Sequence, residues 1–199
     1  MSDLTPTRSV VIELKDERRA MLEGYVFLDE KCLLLAGEML LELRRYVELQ
    51  REFLRAHDAA VAALQAAVAR HGLQGLQVYP PADLGGARVD HRTRSLMGVR
   101  LQDAQLKYDV APAAQAVHPS PEAQACRRAF GEVLRQAAAL AAVSGNLERL
   151  TLEYQRSVRR ARALQDVLLP EMDRTVYDIE TRLEELEQED AIWMRQGAR

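Results

Sequence analysis

Residues 21–67 read MLEGYVFLDEKCLLLAGEMLLELRRYVELQREFLRAHDAAVAALQAA, with no proline in the stretch. Steps of alternately four and three residues pick out Met21, Tyr25, Leu28, Cys32, Leu35, Met39, Glu42, Tyr46, Leu49, Phe53, Ala56, Ala60, Ala63 and Ala67. Glu42 alone among these is not apolar. A 3.5-residue repeat held this long keeps one helix face on a partner, so it predicts a coiled-coil seam. The seam is large-sided up to Phe53 and all alanine beyond it, which predicts a thinner, closer helix contact at that end. Thr7 or Ser9 is the expected N-cap and Gly72 the expected stop. About 63 residues rising about 1.5 Å each would make a rod of roughly 95 Å, longer than a compact domain of this size needs.

Proline and glycine divide the rest. Residues 7–79 and 122–169 contain no proline, whereas 72–121 hold five of the seven prolines and five of the ten glycines. Proline removes a helix donor and clashes with the preceding turn. The expected organisation is an N-terminal helix over 1–72, an irregular middle segment over 73–120, and a C-terminal helix over 121–199. Ser120 should cap the last of these, with Pro121 at its first position. The second seam runs through Phe130, Val133, Ala137, Leu140, Val143, Leu147, Leu150, Tyr154, Val158, Ala161, Leu164 or Gln165, Leu168, Met172, Val176, Ile179, Leu183, Leu186 and Trp193. Consecutive steps of four (150-154-158 and 168-172-176) relax a left-handed supercoil, and Pro170 should kink the helix. Two such seams in one chain most simply pair antiparallel. In the middle, Leu76–Tyr79, Leu96–Leu101 and Leu106–Val110 have strand character, with a bend or bulge at Gly98, and predict a small hairpin. Residues 111–119 read as linker. The expected fold is therefore all-α dominated, a long antiparallel two-helix coiled coil with a short β-hairpin middle segment.

Composition narrows the function. The chain has 199 residues, is 48% hydrophobic and 29% charged, and carries a net charge of −3. That balance excludes a disordered chain and argues against a general nucleic-acid binder, which needs a basic field. No apolar run reaches the ~18 residues of a membrane span, and the first residues lack a signal-peptide pattern. Cys32 and Cys126 have neither metal nor redox spacing. A cytoplasmic protein without direct membrane insertion is expected. His57, His71, His91 and His118 are scattered, and GxxxxGK[ST], GxGxxG and HExxH are all absent. Gly85-Gly86 reads as a turn rather than a phosphate cradle. No catalytic, metal or cofactor residues are assigned.

Two charged clusters stand out. Arg156, Arg159, Arg160 and Arg162 occur within seven positions, and 156, 159 and 160 share one helix face. They read either as a solvated face paired with Glu153 and Asp166 or as a docking surface for acidic side chains. Residues 171–190 hold nine acids, Glu184, Glu185 and Glu187 among them, against two bases. These read either as a solvated face or as a contact for a basic partner.

Three patches carry a family resemblance. Pro6-Thr7-Arg8, Leu14-Lys15, Gly24-Tyr25, Leu28 and Lys31 form the first. Leu96-Met97-Gly98-Val99-Arg100-Leu101 is the second. The third is Arg159-Arg160-Ala161-Arg162-Ala163-Leu164-Gln165 followed by Leu169-Pro170, then Ile179-Glu180-Thr181-Arg182-Leu183-Glu184-Glu185-Leu186-Glu187. Together they resemble the D subunit, the central rotor shaft of V-type and A-type rotary ATPases and ATP synthases. Cys32-Leu33 stands where that family usually has Arg-Asp. Arg162 and Gln165 replace the Asn and Glu of its Arg-Arg-Val-Asn-Ala-Leu-Glu motif. These departures point to a divergent bacterial branch.

The resemblance implies a shaft whose two chain ends enter a catalytic hexamer of A and B subunits. It places the middle segment toward the membrane, near the F subunit and the C/d-type subunit that caps the rotor ring. ATP and ADP would be bound by the partner subunits and no cofactor by this chain. Arg156, Arg159, Arg160, Arg162, Gln165, Glu184, Glu185 and Glu187 become its candidate partner contacts. The alternative is a coiled-coil scaffold or adaptor without a motor, which accounts for the heptads but not for the Met-Gly-Val and Pro170 patches. An unrecognised enzyme is a third reading.

Overall fold

The computed structural model describes residues 5–77, 79–80, 86–108, 116 and 118–197. Helix α1 spans Arg8–Gln77, strands β1 and β2 span Arg88–Leu96 and Val99–Lys107, and helix α2 spans Pro121–Ala163. A π-helical turn over Leu164–Leu168 leads directly into α3, Leu169–Gly197. The architecture is all-α dominated, with long N- and C-terminal helical stretches and one antiparallel hairpin between them. Two compact units divide it: residues 1–34 with 154–199, and residues 35–153.

Both helix starts are capped as their residue types dictate. The Thr7 hydroxyl accepts from Val10 N–H at 3.4 Å, and the Ser120 hydroxyl accepts from Ala123 N–H at 3.1 Å. Each satisfies a donor that has no partner in the first turn. Gly72 breaks the helical backbone with φ 69° and ψ 162°, a left-handed conformation open to glycine. The chain resumes helical geometry through Gln77, so Leu76 and Gln77 are helical rather than the strand expected there.

In the first unit α1 and α3 run antiparallel, tied by Arg8–Glu187, Lys15–Glu180 and Arg18–Asp173. As one partner advances, the other recedes. In the second unit the same sense is set by Glu42 with Asn146 and by His71 with Ser120. All fourteen heptad positions of α1 from Met21 to Ala67 are buried or half-buried. Leu35, Ala60 and Ala67 are fully buried. Along α2, Val143 and Leu150 are fully buried, and Leu147, Tyr154 and Val158 are buried or half-buried. Along α3, Val176 and Ile179 are buried and Leu183 half-buried.

Four residues assigned to the second seam lie outside it, for three reasons. Leu168 is 41% exposed because the wide turn before Pro170 contains one more residue than an α-turn. Leu169 N–H bonds Leu164 O, five residues back, and the buried face passes from Leu164 to Leu169, Met172 and Val176. Leu186 is 44% and Trp193 73% exposed, since α1 begins at Arg8, opposite Glu187, and no described residue covers α3 beyond it. Phe130 is 40% exposed, while Gly131 and Ala123 are buried in its place. There the opposing α1 seam is alanine, and small residues on both helices permit close approach.

The hairpin pairs β1 with β2 in register from Arg88↔Lys107 to Leu96↔Val99. Met97 and Gly98 form the two-residue turn with φ of 47° and 86°. Two consecutive left-handed residues match the twist of the flanking strands. Leu96–Leu101 is thus a turn with its flanks rather than one strand. Of Leu106–Val110 only 106 and 107 belong to a described strand; residues 109–115 and 117, which include most of the expected linker, lie outside the described residues.

The hairpin is held by a buried polar group. Glu42, 3% exposed, receives hydrogen bonds from Arg94 at 3.1 Å and from Asn146 Nδ2 at 3.3 Å. Arg94 also bonds Glu38. Asn146, 1% exposed, grips β2 through its main chain: Gln102 N–H donates to Asn146 Oδ1 at 2.8 Å, and Asn146 Nδ2 donates to Gln102 O at 2.9 Å. Arg149 donates to the same Oδ1 at 2.7 Å. The side-chain amide thereby stands in for one residue of a neighbouring strand. The acid that interrupts the α1 seam is the hairpin's anchor.

Two outcomes follow from these contacts. Asn146→Leu strips a buried carboxylate of one donor and should cost about 1–3 kcal/mol in denaturant unfolding. Adding Glu42→Leu should restore helix-pair stability, because the charge is gone, while amide exchange at Gln102 stays fast. Inserting one alanine after Val167 should rotate α3 by roughly 100° and expose Val176 and Ile179, at roughly 1.5–3 kcal/mol each. Pro170→Ala should leave the wide turn in place and change Tm little, because the α3 face must still meet α1.

Candidate partner-contact surface

The inner faces of the paired helices are mainly apolar, although Glu122 Oε2, Arg127 Nε and Nη1 and Arg149 Nε are buried on α2 without a hydrogen-bond partner; the outer faces carry further open chemistry. Arg156, Arg159, Arg160 and Arg162 all lie exposed on the last two turns of α2. Arg159, Arg160 and Arg162 form no hydrogen bond or ion pair among the described residues. An exposed guanidinium in this state offers a planar five-donor fork to a carboxylate. Gln165 is exposed on the π-helical turn that follows. The turn widens the backbone immediately before Pro170, where an α-helical carbonyl would meet the proline ring. The other side of this segment meets α1 closely: a methyl group at Gly24 would lie 3.9 Å from Leu164 Cδ1.

The acidic run on α3 divides by face. Asp173, Glu180 and Glu187 turn toward α1 and bind Arg18, Lys15 and Arg8. These pairs are largely exposed, so each is worth at most ~1 kcal/mol after solvent screening. Glu187 is therefore engaged within the chain. Glu184 and Glu185 are exposed and have no ion pair among the described residues. The open groove beside them is lined by Arg8, Val11, Ile12, Leu183 and Glu187. It is shallow and carries no convergent set of catalytic groups.

Sequence reading missed a second apolar stripe on α1. Leu40, Val47 and Leu54 stand seven residues apart and are 58%, 38% and 51% exposed. Leu41 and Leu43 flank them and are exposed too. In the first unit Val26 and Leu33 continue the same seven-residue spacing, with Leu22, Phe27 and Leu34 alongside. The signal was present in the sequence as a second heptad set one position beyond the first, and the stronger seam masked it. Within each unit, exposed apolar side chains grouped on an outer helix face are the kind of surface that a partner can cover. At the end of α3, Ile192, Trp193 and Met194 add an exposed apolar tip.

Among the described residues no group of three His, Cys, Asp or Glu side chains is placed to hold a metal ion. His71 Nε2 lies 2.6 Å from the Ser120 hydroxyl and near the Tyr79 ring, a structural use. Cys32 and Cys126 are free and half-buried. Burial raises both thiol pKa values, that of Cys32 with help from Asp29, which disfavours the reactive thiolate. No described helix is long and apolar enough to cross a membrane.

The sequence matches known proteins along nearly its whole length. The D subunit of the A-type ATP synthase of Pyrococcus horikoshii is 29% identical over 190 residues, covering 94% of this chain and 89% of the relative. The D subunit of the V-type ATP synthase of Thermotoga neapolitana is 24% identical over 193 residues, covering 96% and 95%. The A-type D subunit of Methanopyrus kandleri is 26% identical over 204 residues, covering 98% and 85%. The family model for the ATP synthase D subunit matches residues 10–195, and the chain belongs to that family.

Proposed function

We propose that this chain is the central rotor shaft of a V/A-type rotary ATPase or ATP synthase. It carries torque between a catalytic A/B hexamer and the membrane ring that translocates ions. It contributes no catalytic group; ATP and ADP are bound by the partner subunits. The observation that carries the reading is the contrast between a mainly apolar seam and an outer surface rich in exposed leucines and unpaired arginines on antiparallel helix pairs. The seam is mainly apolar, with Glu42 and Asn146 bonded inside it, while leucines of α1 and three unpaired arginines of α2 face outward. Such a part is completed by other subunits. A shaft needs stiffness along its axis and unequal faces around it, and membership of the family of ATP synthase D subunits supports that use.

Within this reading the exposed tip Ile192-Trp193-Met194 suits an apolar bearing inside the hexamer, formed by the A and B subunits. The middle segment and its hairpin face the F subunit and the cap of the rotor ring. The arginine cluster presents cations to acidic side chains of the catalytic subunits as the shaft turns. Glu184 and Glu185 present the opposite sign on α3.

Affinity purification of the tagged chain from gently solubilised native membranes tests the assignment. Two large nucleotide-binding subunits in equal amounts, with a small F-like subunit, are the expected companions. A chain that comes alone, self-associates through its seam, or brings unrelated proteins would instead be a coiled-coil scaffold. Replacing Arg156, Arg159 and Arg160 together by Gln should weaken assembly or uncouple ATP hydrolysis from rotation. Unaltered ATP-driven rotation in that variant would remove the cluster from the mechanism.

A further inference from the structure

We propose that the outer edge of β1 receives an extended, acidic segment of a neighbouring subunit as a third strand. The hairpin is a two-stranded sheet, and β1 is exposed from Arg88 through Ser95. Its register determines which backbone groups are free. A two-residue turn makes Leu96↔Val99 a hydrogen-bonded pair, and such pairs alternate along an antiparallel ladder. The main-chain groups of Arg88, Asp90, Arg92 and Arg94 therefore point to β2. Those of Val89, His91, Thr93 and Ser95 point away from it. No backbone hydrogen bond outside the hairpin satisfies them among the described residues. The other edge differs, because Asn146 already occupies β2 at Gln102. A nine-residue edge with open donors and acceptors is a template for strand addition.

Charge selects the occupant. Residues 88–107 hold five cations and two acids, in a chain whose net charge is −3. Both acids are taken, Asp90 by Lys107 and Asp103 by Arg45. Lys107 lowers the Asp90 pKa, with Arg88 and Arg92 adding to it, so this carboxylate stays ionised. Arg94 is spent on Glu38 and Glu42. Arg88 and Arg92 on one face and Arg100 on the other form no ion pair among the described residues. Arg88 also stands directly across from Lys107, a like-charge pairing that an incoming carboxylate relieves. A second copy of β1 would bring like charges together. A nucleic acid would find no Phe, Tyr or Trp between 88 and 107 on which to stack a base.

This inference rests on the chain working inside a multi-subunit complex. Co-purification judges that reading, and hydrogen exchange judges this one, so each can fail alone. Residue-resolved amide exchange is compared between the isolated chain and the intact membrane complex. The amides of Val89, His91, Thr93 and Ser95 should slow at least tenfold on assembly, whereas those of Asp90, Arg92 and Arg94 should be slow in both states. Thr93→Pro removes an outward donor without removing a hairpin bond. It should abolish the assembly-dependent protection of His91 and Ser95 while the inward amides remain slow. Arg88→Glu with Arg92→Glu should reduce the same protection without touching the ladder. Equal exchange in both states, protection indifferent to Thr93→Pro, or protection lost on nuclease treatment would each overturn the proposal.

Discussion

A carboxylate buried in an apolar helix seam is costly unless donors surround it. Glu42 sits in that position, and its donors come from two other elements: Arg94 of β1 and Asn146 of α2. The requirement to satisfy one acid therefore joins α1, the hairpin and α2 at a single point. Asn146 then spends its remaining capacity on the main chain of Gln102, and Arg149 closes the set. Hydrophobic burial alone would leave the hairpin loosely attached, since β1 is exposed nearly throughout. The polar cluster gives this small sheet a defined place and orientation that its few apolar contacts, Val99 and Leu101 above all, reinforce.

A different constraint governs the first unit. Pro170 cannot donate to the helix ladder, and its ring crowds the preceding turn. The wide turn over Leu164–Leu168, which the packing of α3 on α1 requires in any case, accommodates that ring. That turn also absorbs one residue, which keeps Val176 and Ile179 buried after an apolar repeat that drifts from strict heptads. Register and proline are thus reconciled in the same five residues. The unpaired arginines lie one to two turns upstream, and Leu164 of the turn itself packs beside Gly24 of α1.

Around this interior the outside is left open in a patterned way. The α1 leucines, the α2 arginines, the free acids of α3 and the β1 edge are separate surfaces of different chemistry. A chain that belongs to a family of multi-subunit ATP synthase components has use for several such surfaces at once.

The long helices, their caps at Thr7 and Ser120, and the α1 seam were legible in the residues because helical periodicity and capping are local properties. Membership among ATP synthase D subunits was legible from three short patches, although most positions differ from the relatives. A small hairpin was expected from the strand-like pieces Leu76–Tyr79, Leu96–Leu101 and Leu106–Val110, but neither its turn at Met97-Gly98 nor β1 was read: RVDHRTRSL is polar nearly throughout and shows no alternation toward a core. Its strand state depends on pairing with β2 and on Glu42, which in sequence looked like a flaw in the heptads. The partner contacts proposed from the charge clusters also needed the fold, since only packing separates Glu187, engaged by Arg8, from Glu184 and Glu185. Leu168 left the seam through an extra residue in one turn, and Phe130 through the close approach of small residues. Periodicity along one chain reports which face is apolar; the distance and angle at which another element meets that face belong to tertiary packing alone.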